Sequence, residues 1–370
     1  MSEIDNLTGV HHYNNHNQKI MTENHIEEVP FLSNVGLMLT YKCTIACPHC
    51  IVNAGPNRKE EMSIESAYKW LDQVKSFRSG IVYGISLTGG EPFYNLQQMI
   101  NVADYAQKLG FIVSVVSNAY WASSRKKALE ILSMCSSIQM ISISADIPHQ
   151  RFIPFANVKN AIWAAKKLGK LYNIAVATES ESSPEYLRLM DDILEISDPE
   201  FINTAIILPV GRAKKERNPI HYKYSSEPSI AACSMASFPI IFPNGKVIAC
   251  IGPPITLPEF NPLYLGNLNE ESINDIFNKA ENNYILHAIR VFGPKILVKI
   301  LKENGYDRLL PNQYIDEATC DVCFKLFSNR ETCEILHYLI ENDTEFRLKT
   351  EYGRQYYLNE VEMMKDIKIS

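Results

Sequence analysis

The chain lacks a long apolar run and an excess of basic residues, and each absence excludes a class of protein. Lysine and arginine together number 36 against 42 acidic residues, so the net charge is −6 and the isoelectric point is near 5.9. This charge balance gives no electrostatic footprint for nucleic acid. No apolar stretch approaches the length of a membrane span, and no apolar segment follows a basic start as in a signal peptide. We expect no nucleic-acid partner, no membrane partner and a cytoplasmic location.

Cysteine, by contrast, is frequent. The nine cysteines are odd in number and clustered, which favours metal binding in a reducing compartment over a secreted disulfide framework. Three of them stand in the segment Cys43-Thr-Ile-Ala-Cys47-Pro-His-Cys50, directly after an apolar run. Three closely spaced thiolates can ligate three corners of an iron–sulfur cube and leave one iron open. A structural zinc site would need a fourth ligand, and a redox Cys-x-x-Cys pair would leave Cys43 unexplained.

Residues 31–215 alternate short β-type runs with helical patterns, which indicates βαβ units and a parallel sheet. Six units in sequence, joined by right-handed crossovers, predict an α/β fold with a partial (β/α)6 TIM-like barrel and a smaller C-terminal domain. Active sites of such barrels lie at the carboxyl ends of the strands. The predicted strands are Val35–Thr40, Ile81–Leu87, Phe111–Ser117, Met140–Ser144, Ile174–Thr178 and Ile202–Leu208. The predicted helices lie near Ile64–Ser79, Leu96–Leu109, Arg125–Met134, Val158–Leu168 and Glu185–Ile196, the first with Ser63 as its N-cap.

Several strand ends carry groups suited to a ligand. Two glycines after the second strand allow the backbone to approach a ligand closely, and the next carboxylate can accept hydrogen bonds from an ammonium group. Small polar residues close the third and fourth strands, where they serve either a ligand or ordinary turn and cap chemistry. These residues are Gly89, Gly90, Glu91 and Pro92, then Ser117 and Asn118, then Ser144 and Asp146, and after the sixth strand Gly211 and Arg212.

The C-x3-C-x2-C loop together with Gly89-Gly90-Glu91-Pro92 resembles the signature of the radical S-adenosylmethionine (radical SAM) enzymes. The resemblance implies that Cys43, Cys47 and Cys50 hold a [4Fe-4S] cluster and that S-adenosylmethionine (SAM) chelates the open iron. It further implies that the Gly89–Pro92 turn holds the amino group of SAM. The polar residues at the later strand ends would then contact the nucleoside or the SAM carboxylate. Gly211 would pack against the adenine, with a domain-joining ion pair as the alternative role of Arg212.

A second set of five cysteines follows residue 214: Cys233, Cys250, Cys320, Cys323 and Cys333. A Phe242-Pro-Asn-Gly-Lys hairpin turn brings the first two together. The set resembles the auxiliary-cluster extensions called SPASM and twitch, with more thiols than a twitch domain uses and fewer than a SPASM domain uses. The resemblance implies one auxiliary [4Fe-4S] cluster on Cys233, Cys250, Cys320 and Cys323. In the full SPASM pattern Cys333 stands at the last cysteine and Asn329 replaces the one before, so Cys333 remains an alternative ligand, and structural zinc remains an alternative to a cluster.

The resemblance also implies the chemistry. SAM cleavage by one electron gives a 5′-deoxyadenosyl radical, which abstracts hydrogen from a substrate at the barrel mouth. We expect a precursor peptide as substrate, modified by cross-linking, dehydrogenation or epimerisation, and a flavodoxin- or ferredoxin-type electron donor. Epimerisation would need a thiol hydrogen donor, for which Cys333 and Cys135 are candidates, although Cys135 is more simply a buried core thiol. The alternatives are a small-molecule dehydrogenase and an iron–sulfur electron carrier or sensor.

The expected organisation has four parts. Residues 1–30 are polar and without period, which predicts a flexible tail. Residues 31–215 form the barrel, 216–345 the auxiliary-cluster domain and 346–370 a C-terminal helical tail.

Overall fold

The computed structural model describes residues 31–77, 82–215, 222–229, 231–358 and 360. The predicted tail 1–30 lies outside the described residues. So do the ends of the predicted strand and helix that fall at 78–81, and residues 359 and 361–370 of the predicted C-terminal tail.

Six parallel strands form the centre of the fold in the sequential order of a partial (β/α)6 barrel. Each strand pairs with the next, and in the described part of the chain β6 is an edge of the sheet. The predicted α/β class and parallel core are therefore confirmed, with strand boundaries that shift by a few residues. The strands are β1 Asn34–Thr40, β2 Gly84–Gly89, β3 Ile112–Ser117, β4 Met140–Ser144, β5 Leu171–Thr178 and β6 Ile202–Ile206.

Amphipathic helices connect these strands and bury their apolar faces against the sheet. The first helix begins at its predicted N-cap, where the Ser63 hydroxyl accepts a hydrogen bond from the Ser66 amide at 3.1 Å. Trp70 and Leu71 of this helix are buried in the core. The helices of the barrel are α1 Ile64–Ser76, α2 Leu96–Lys108, α3 Arg125–Met134, α4 Ile147–Gln150, α5 Phe155–Lys167 and α6 Pro184–Leu194.

Three strands from the region of the second cysteine set extend the same sheet beyond β1. Strand β8 (Ile240–Ile241) pairs in parallel with β1, and the predicted hairpin at Phe242–Lys246 joins β8 to β9 (Lys246–Ile248). The turn requires Gly245, whose φ is +83°. Sequence patterns did not predict this pairing, because nothing local links residues so far apart in the chain. These strands are β8 Ile240–Ile241, β9 Lys246–Ile248 and β10 Tyr264–Asn267; a separate two-stranded sheet pairs β7 Tyr224–Ser225 with β11 Tyr314–Ile315.

A group of helices completes the C-terminal part and packs around a buried ion network. Arg290 and Arg354 both contact the carboxylate of Glu360, and Arg354 also pairs with Glu281 at 3.0 Å. Glu360 accepts a further hydrogen bond from the amide of Phe31 at 3.1 Å, so the two ends of the described chain meet. The helices are α7 Ile273–Glu281, α8 Tyr284–Phe292, α9 Lys295–Glu303, α10 Thr319–Phe327, α11 Arg330–Glu341 and α12 Thr344–Tyr356.

None of the helices in the described ranges has the length and apolar character needed to cross a membrane.

Candidate active site

The three N-terminal thiols face one another in the loop that follows β1. Cys43 and Cys47 are buried and Cys50 is half-buried. Burial raises the pKa of Cys43 to about 12, and charge repulsion from Cys47 and Cys50 adds to the shift. The loop lies at the carboxyl end of β1, which is where the barrel rule predicts an active site.

Two of the three sulfurs accept a hydrogen bond from nitrogen. The Asn118 amide group approaches Cys43 Sγ at 3.6 Å, and the backbone amide of Ala54 donates to Cys50 Sγ at 3.3 Å. Thiolates with such partners are ordinary iron–sulfur ligands, so the residues present fit a cluster held on one side by this loop.

The glycine pair after β2 approaches the backbone of β1. A Cβ atom on Gly90 would lie 2.2 Å from the Lys42 carbonyl oxygen, and one on Gly89 would lie 2.5 Å from that of Thr40. The amides of Gly90 and Glu91 donate to the carbonyls of Thr40 and Lys42 at 2.6 and 2.9 Å. The glycines therefore allow close contact between the β2 end and the cysteine loop.

Glu91 is fully buried and joins β2 to β3. Its carboxylate accepts hydrogen bonds from the amides of Phe93 and Asn118 and from the Ser117 hydroxyl, at 3.1, 2.8 and 2.9 Å. These hydrogen bonds favour the charged carboxylate, but the effect of burial is larger and raises the pKa of Glu91 to about 7. Pro92 is also buried and begins a single helical turn that Glu91 caps.

Ser144 ends β4, half-buried, and pairs with Ala175 of β5. Asp146, just beyond, is buried and caps the short helix α4. Its carboxylate lies 2.7 Å from Nδ1 of His149 and 3.7 Å from Nε2 of His49. The structure thus joins two histidines to a predicted site residue. Of these, the sequence pattern indicated only Asp146.

The pKa values of the two histidines in this His49–Asp146–His149 group are shifted in opposite directions. Burial lowers the pKa of His49 to about 4, which keeps that ring neutral. Burial also opposes the charge on His149, but the charge of Asp146 and hydrogen bonds to Asp146 and Cys47 outweigh it and raise the pKa of His149 to about 10. His149 is three residues after an N-cap aspartate, a spacing that places its amide and ring beside that carboxylate and could have identified it.

The Gly211-Arg212 turn after β6 packs against the cysteine loop and hydrogen-bonds to it. Gly211 has φ +56°, and a Cβ on it would lie 2.5 Å from the carbonyl oxygen of Cys50. The Arg212 guanidinium donates to the carbonyls of Cys47 and Ala54, and its backbone amide donates to Cys50 O at 3.0 Å. In the described residues Arg212 makes no ion pair, so the domain-joining ion pair is not observed.

The second cysteine set divides into four thiols that face one another and one that does not. Burial raises the pKa of the Cys323 thiol, and charge repulsion from Cys233, Cys320 and Cys250 adds to the shift. Cys320 itself is exposed at the surface. A Cβ on Gly252 would lie 3.6 Å from Cys320 Sγ and 4.0 Å from Cys250 Sγ.

The remaining thiols are buried apart from both sets. Cys333 Sγ contacts the Phe327 carbonyl at 3.7 Å, and Cys135 Sγ contacts the Ile131 carbonyl at 3.4 Å. Cys135 lies at the end of α3 that leads into the amino end of β4. This is the opposite end of the barrel from the cysteine loop, so the role of Cys135 as a hydrogen donor stays a prediction.

The chain can also be compared with models of known protein families. A family model described as "Radical SAM superfamily" matches residues 37–192. This match covers less than half of the chain. Members of that superfamily are enzymes that use a [4Fe-4S] cluster and SAM.

Two curated relatives come from Bacillus subtilis (strain 168). The putative peptide biosynthesis protein YydG is 24% identical over 312 residues, which cover 83% of this chain and 96% of the relative. The antilisterial bacteriocin subtilosin biosynthesis protein AlbA is 29% identical over 119 residues, or 32% of this chain and 25% of the relative.

Two solved structures illustrate partial similarity of fold. BtrN in complex with AdoMet and 2-DOIA shares 16% identity and a TM-score of 0.38, over 71% of this chain and 89% of that one. Methylornithine synthase (PylB) shares 14% identity and a TM-score of 0.41, over 52% of this chain and 58% of that one.

Proposed function

We propose that this protein is a radical SAM enzyme that modifies a ribosomally made precursor peptide. The observation that carries the proposal is the similarity to YydG, which extends over nearly the full length of that peptide biosynthesis protein. The shorter match to AlbA, named for bacteriocin biosynthesis, agrees with it. The reaction classes open to such an enzyme are cross-linking, dehydrogenation and epimerisation.

In this proposal Cys43, Cys47 and Cys50 hold the catalytic cluster. The contacts of the loop support the assignment, because the sulfurs of Cys43 and Cys50 have N–H partners and Arg212 donates to the loop carbonyls. When bound, the cluster and SAM supply an organic radical that abstracts hydrogen from the substrate. The chain's own part is to hold the thiols at the strand ends and to exclude water there.

The predicted SAM ligands surround this loop: Gly89, Gly90, Glu91, Pro92, Ser117, Asn118, Ser144, Asp146, Gly211 and Arg212. The Glu91 carboxylate bonds to Ser117 and Asn118, so its first role is to orient the β3 end. In our proposal the surrounding turn contributes backbone groups to SAM.

We further propose that Cys233, Cys250, Cys320 and Cys323 hold one auxiliary [4Fe-4S] cluster. Their mutual charge repulsion supports this set, whereas the Cys333 sulfur lies against the Phe327 carbonyl. Among the residues that the structure describes, no three thiol sulfurs lie within 4.8 Å of one another. A tetrahedral zinc with Zn–S bonds of about 2.3 Å needs sulfurs roughly 3.8 Å apart, so the spacing favours the larger cluster.

Mass spectrometry of a small peptide encoded beside this protein tests the substrate class. After co-expression, a loss of about two mass units indicates cross-linking or dehydrogenation, because one abstraction and one further electron remove two hydrogens. An unchanged mass in ordinary water with a gain of about one unit in deuterated water indicates epimerisation through an exchangeable thiol. A peptide unaltered in both solvents, while deoxyadenosine accumulates with a flavodoxin- or ferredoxin-type donor, would contradict the peptide substrate and favour a small molecule.

Iron and sulfide analysis tests the two cluster assignments. The variant Cys43→Ala/Cys47→Ala/Cys50→Ala should produce no deoxyadenosine yet retain about four irons per chain on the auxiliary set. In that background Gly252→Leu should remove the remaining iron, because its side chain would enter the space between Cys250 and Cys320, whereas Gly252→Ala makes only ordinary contact. Zinc in place of iron, or iron that survives Gly252→Leu, would contradict the auxiliary assignment.

A further inference from the structure

The barrel strands have two faces that differ in burial. The sequential strand order places the connecting helices on one side of the sheet, because right-handed crossovers all return on that side. Alternate residues of β3, β4 and β5 are buried, and the residues between them are half-buried. Thr204 of β6 pairs with buried Val176, and its hydroxyl lies 2.9 Å from the Tyr186 hydroxyl of α6, which identifies the face toward the helices. The half-buried residues of these strands therefore lie on the inner face of the barrel.

Small and polar residues occupy this inner face where β4, β5 and β6 meet. Barrels that are filled by their own side chains carry mainly bulky branched residues at such positions. Here apolar Met140 and Leu171 pair only at the amino ends of β4 and β5. Toward the carboxyl ends the side chains are too small to fill the interior, which leaves room for a ligand. The strand register arranges these residues in three rows: Ser142 with Asn173, Ser144 with Ala175 and Asn203, and Ala177 with Ala205.

The inner face carries hydrogen-bonding groups but no charge. None of the six described barrel strands contains an acidic or basic residue or a histidine. Oδ1 of Asn173 is buried and has no hydrogen-bond partner among the described residues. Buried acceptors in proteins are normally paired, so this oxygen is suited to accept from an N–H group of a ligand. A charged ligand group would lose its water on this face without gaining a counter-charge.

The rows of small residues extend down from the cysteine loop. The Ala177 amide donates to Oδ2 of Asp146 at 3.4 Å, and the same oxygen lies 3.7 Å from Nε2 of His49 within the loop. The inner face of β5 therefore begins directly beside the predicted cluster and SAM site. A substrate that reacts at this end of the barrel would place the residues next to its reacting atom against these rows.

We propose that the inner face of β4, β5 and β6 selects an uncharged, hydrogen-bonding stretch of the substrate peptide beside the residue that is modified. The serine hydroxyls and asparagine amides bond to backbone amides and neutral side chains of the peptide. Charged side chains are rejected there because they are desolvated without a partner. The inference rests on the proposed function, since it names the chemistry of the peptide segment that the barrel accepts.

The test compares peptide variants by their rate of modification. The probe is the small peptide encoded beside this protein, with lysine or glutamine placed at the positions on either side of the modified residue. Mass spectrometry gives kcat/KM for each variant. For at least one position we expect lysine to lower kcat/KM by about tenfold or more relative to glutamine, which has a similar length and no charge.

A compensating charge in the protein makes the test specific to this face. Asn203→Asp adds a carboxylate to the inner face and should raise kcat/KM for the sensitive lysine peptide by about tenfold relative to the glutamine peptide. Ala205→Asp adds the same charge at an exposed position of that face, so it carries the test if circular dichroism shows that Asn203→Asp fails to fold. The matched control is Asn274→Asp, which makes the same change at an exposed position of α7 and should give no recovery.

The outcomes separate the inference from the proposed function. Equal rates for the lysine and glutamine peptides at every flanking position would overturn the inference and leave the proposed function in place. A lysine effect that neither inner-face variant recovers, or that Asn274→Asp recovers equally, would overturn it as well. If wild-type protein leaves the unsubstituted peptide unaltered, the proposed function itself fails and the inference falls with it, so this peptide is measured first.

Discussion

Glu91 holds together the ends of neighbouring strands at the scale of a single residue. Its amide bonds to the Lys42 carbonyl beyond β1, while its carboxylate bonds to Ser117 and Asn118 at the end of β3. A carboxylate with no exposure to water incurs a large desolvation cost when charged, which is why its pKa rises to about 7 despite three donors. The residue that links the strands therefore also makes the site sensitive to pH.

We expect Glu91→Gln to change the pH dependence of stability. Because the folded-state pKa of about 7 exceeds the ordinary 4.5, the folded protein binds the extra proton, and its free energy of unfolding falls as pH rises through this window. The amide side chain of the variant cannot ionise and escapes this loss. As the pH rises from about 4 to about 8, the free energy of unfolding of the variant should therefore increase by about 3 kcal/mol relative to that of wild type. This figure follows because one pKa unit corresponds to about 1.4 kcal/mol.

Urea unfolding of the metal-free protein at several pH values measures this difference. Ser117→Ala is a suitable comparison, because it removes one donor to Glu91 but leaves the ionisable group in place. A constant difference between Glu91→Gln and wild type across the pH range would contradict the expectation.

Some residues of the site were predicted from the sequence and others were not. Asn118 and Asp146 were predicted as site residues from their places after strands, and both lie beside the cysteine loop. His49 and His149 were not, because their partners are set by how separate strand ends meet in space. The burial of Glu91 likewise depends on β3, which a local Gly-Gly-Glu-Pro pattern does not describe.

At the scale of elements, the cysteine loop is held by a turn that follows it by more than 150 positions in the chain. The Arg212 guanidinium reaches carbonyls at both ends of the loop segment Cys47–Ala54. A planar guanidinium offers several donors in fixed directions, which suits it to bridging two carbonyls. The loop's order therefore depends on the turn after β6.

We expect Arg212→Met to loosen this loop without unfolding the barrel. Hydrogen bonds from a charged donor contribute about 1.5–3 kcal/mol each, so the loss of two should lower the free energy of local opening by about 3–6 kcal/mol. Hydrogen–deuterium exchange at the amides of Cys50 and Gly55 should become about 100- to 10,000-fold faster, since about 1.4 kcal/mol is a factor of ten. The control Lys214→Met alters an exposed cation of the same turn. Equal exchange in both variants would show that Arg212 does not hold the loop.

The order of the barrel elements was predictable because each strand and helix follows from a local pattern. β4 and α3 match their predicted bounds, and Ser63 caps α1 as expected. The C-terminal strands β8 to β10 are short, with at most four residues each. Their periodicity is too brief to indicate which edge they join.

At the scale of the whole molecule, the ion network around Glu360 ties the end of the described chain to its beginning. Glu360 and Arg354 are fully buried, and Arg290 is nearly so. Burial alone would raise the pKa of Glu360, but the charges and hydrogen bonds of Arg290 and Arg354 outweigh it and lower that pKa. Such a network is costly to break, because each remaining charge would be left unpaired in a dry interior.

Glu360→Gln should therefore destabilise the protein by about 3–5 kcal/mol at neutral pH. Because the folded-state pKa is depressed, this stabilisation is present above the ordinary value of 4.5 and is lost as pH falls below it. Urea unfolding at neutral and acidic pH measures both effects. Glu303→Gln, which breaks an exposed pair with Lys299, should cost less than about 1 kcal/mol. Equal costs for the two variants would contradict the role of burial.

The pairing of β1 with β8 has a consequence for any attempt to separate the catalytic barrel. A fragment that ends at residue 215 would convert β1 from an interior strand into an edge, since the partners of Gly36 and Leu37 would be absent. That edge has the sequence Val-Gly-Leu-Met-Leu-Thr, is buried in the intact protein and carries no charge. Uncharged apolar edges are templates for association with other chains, so the truncated barrel is a candidate for aggregation rather than a minimal enzyme.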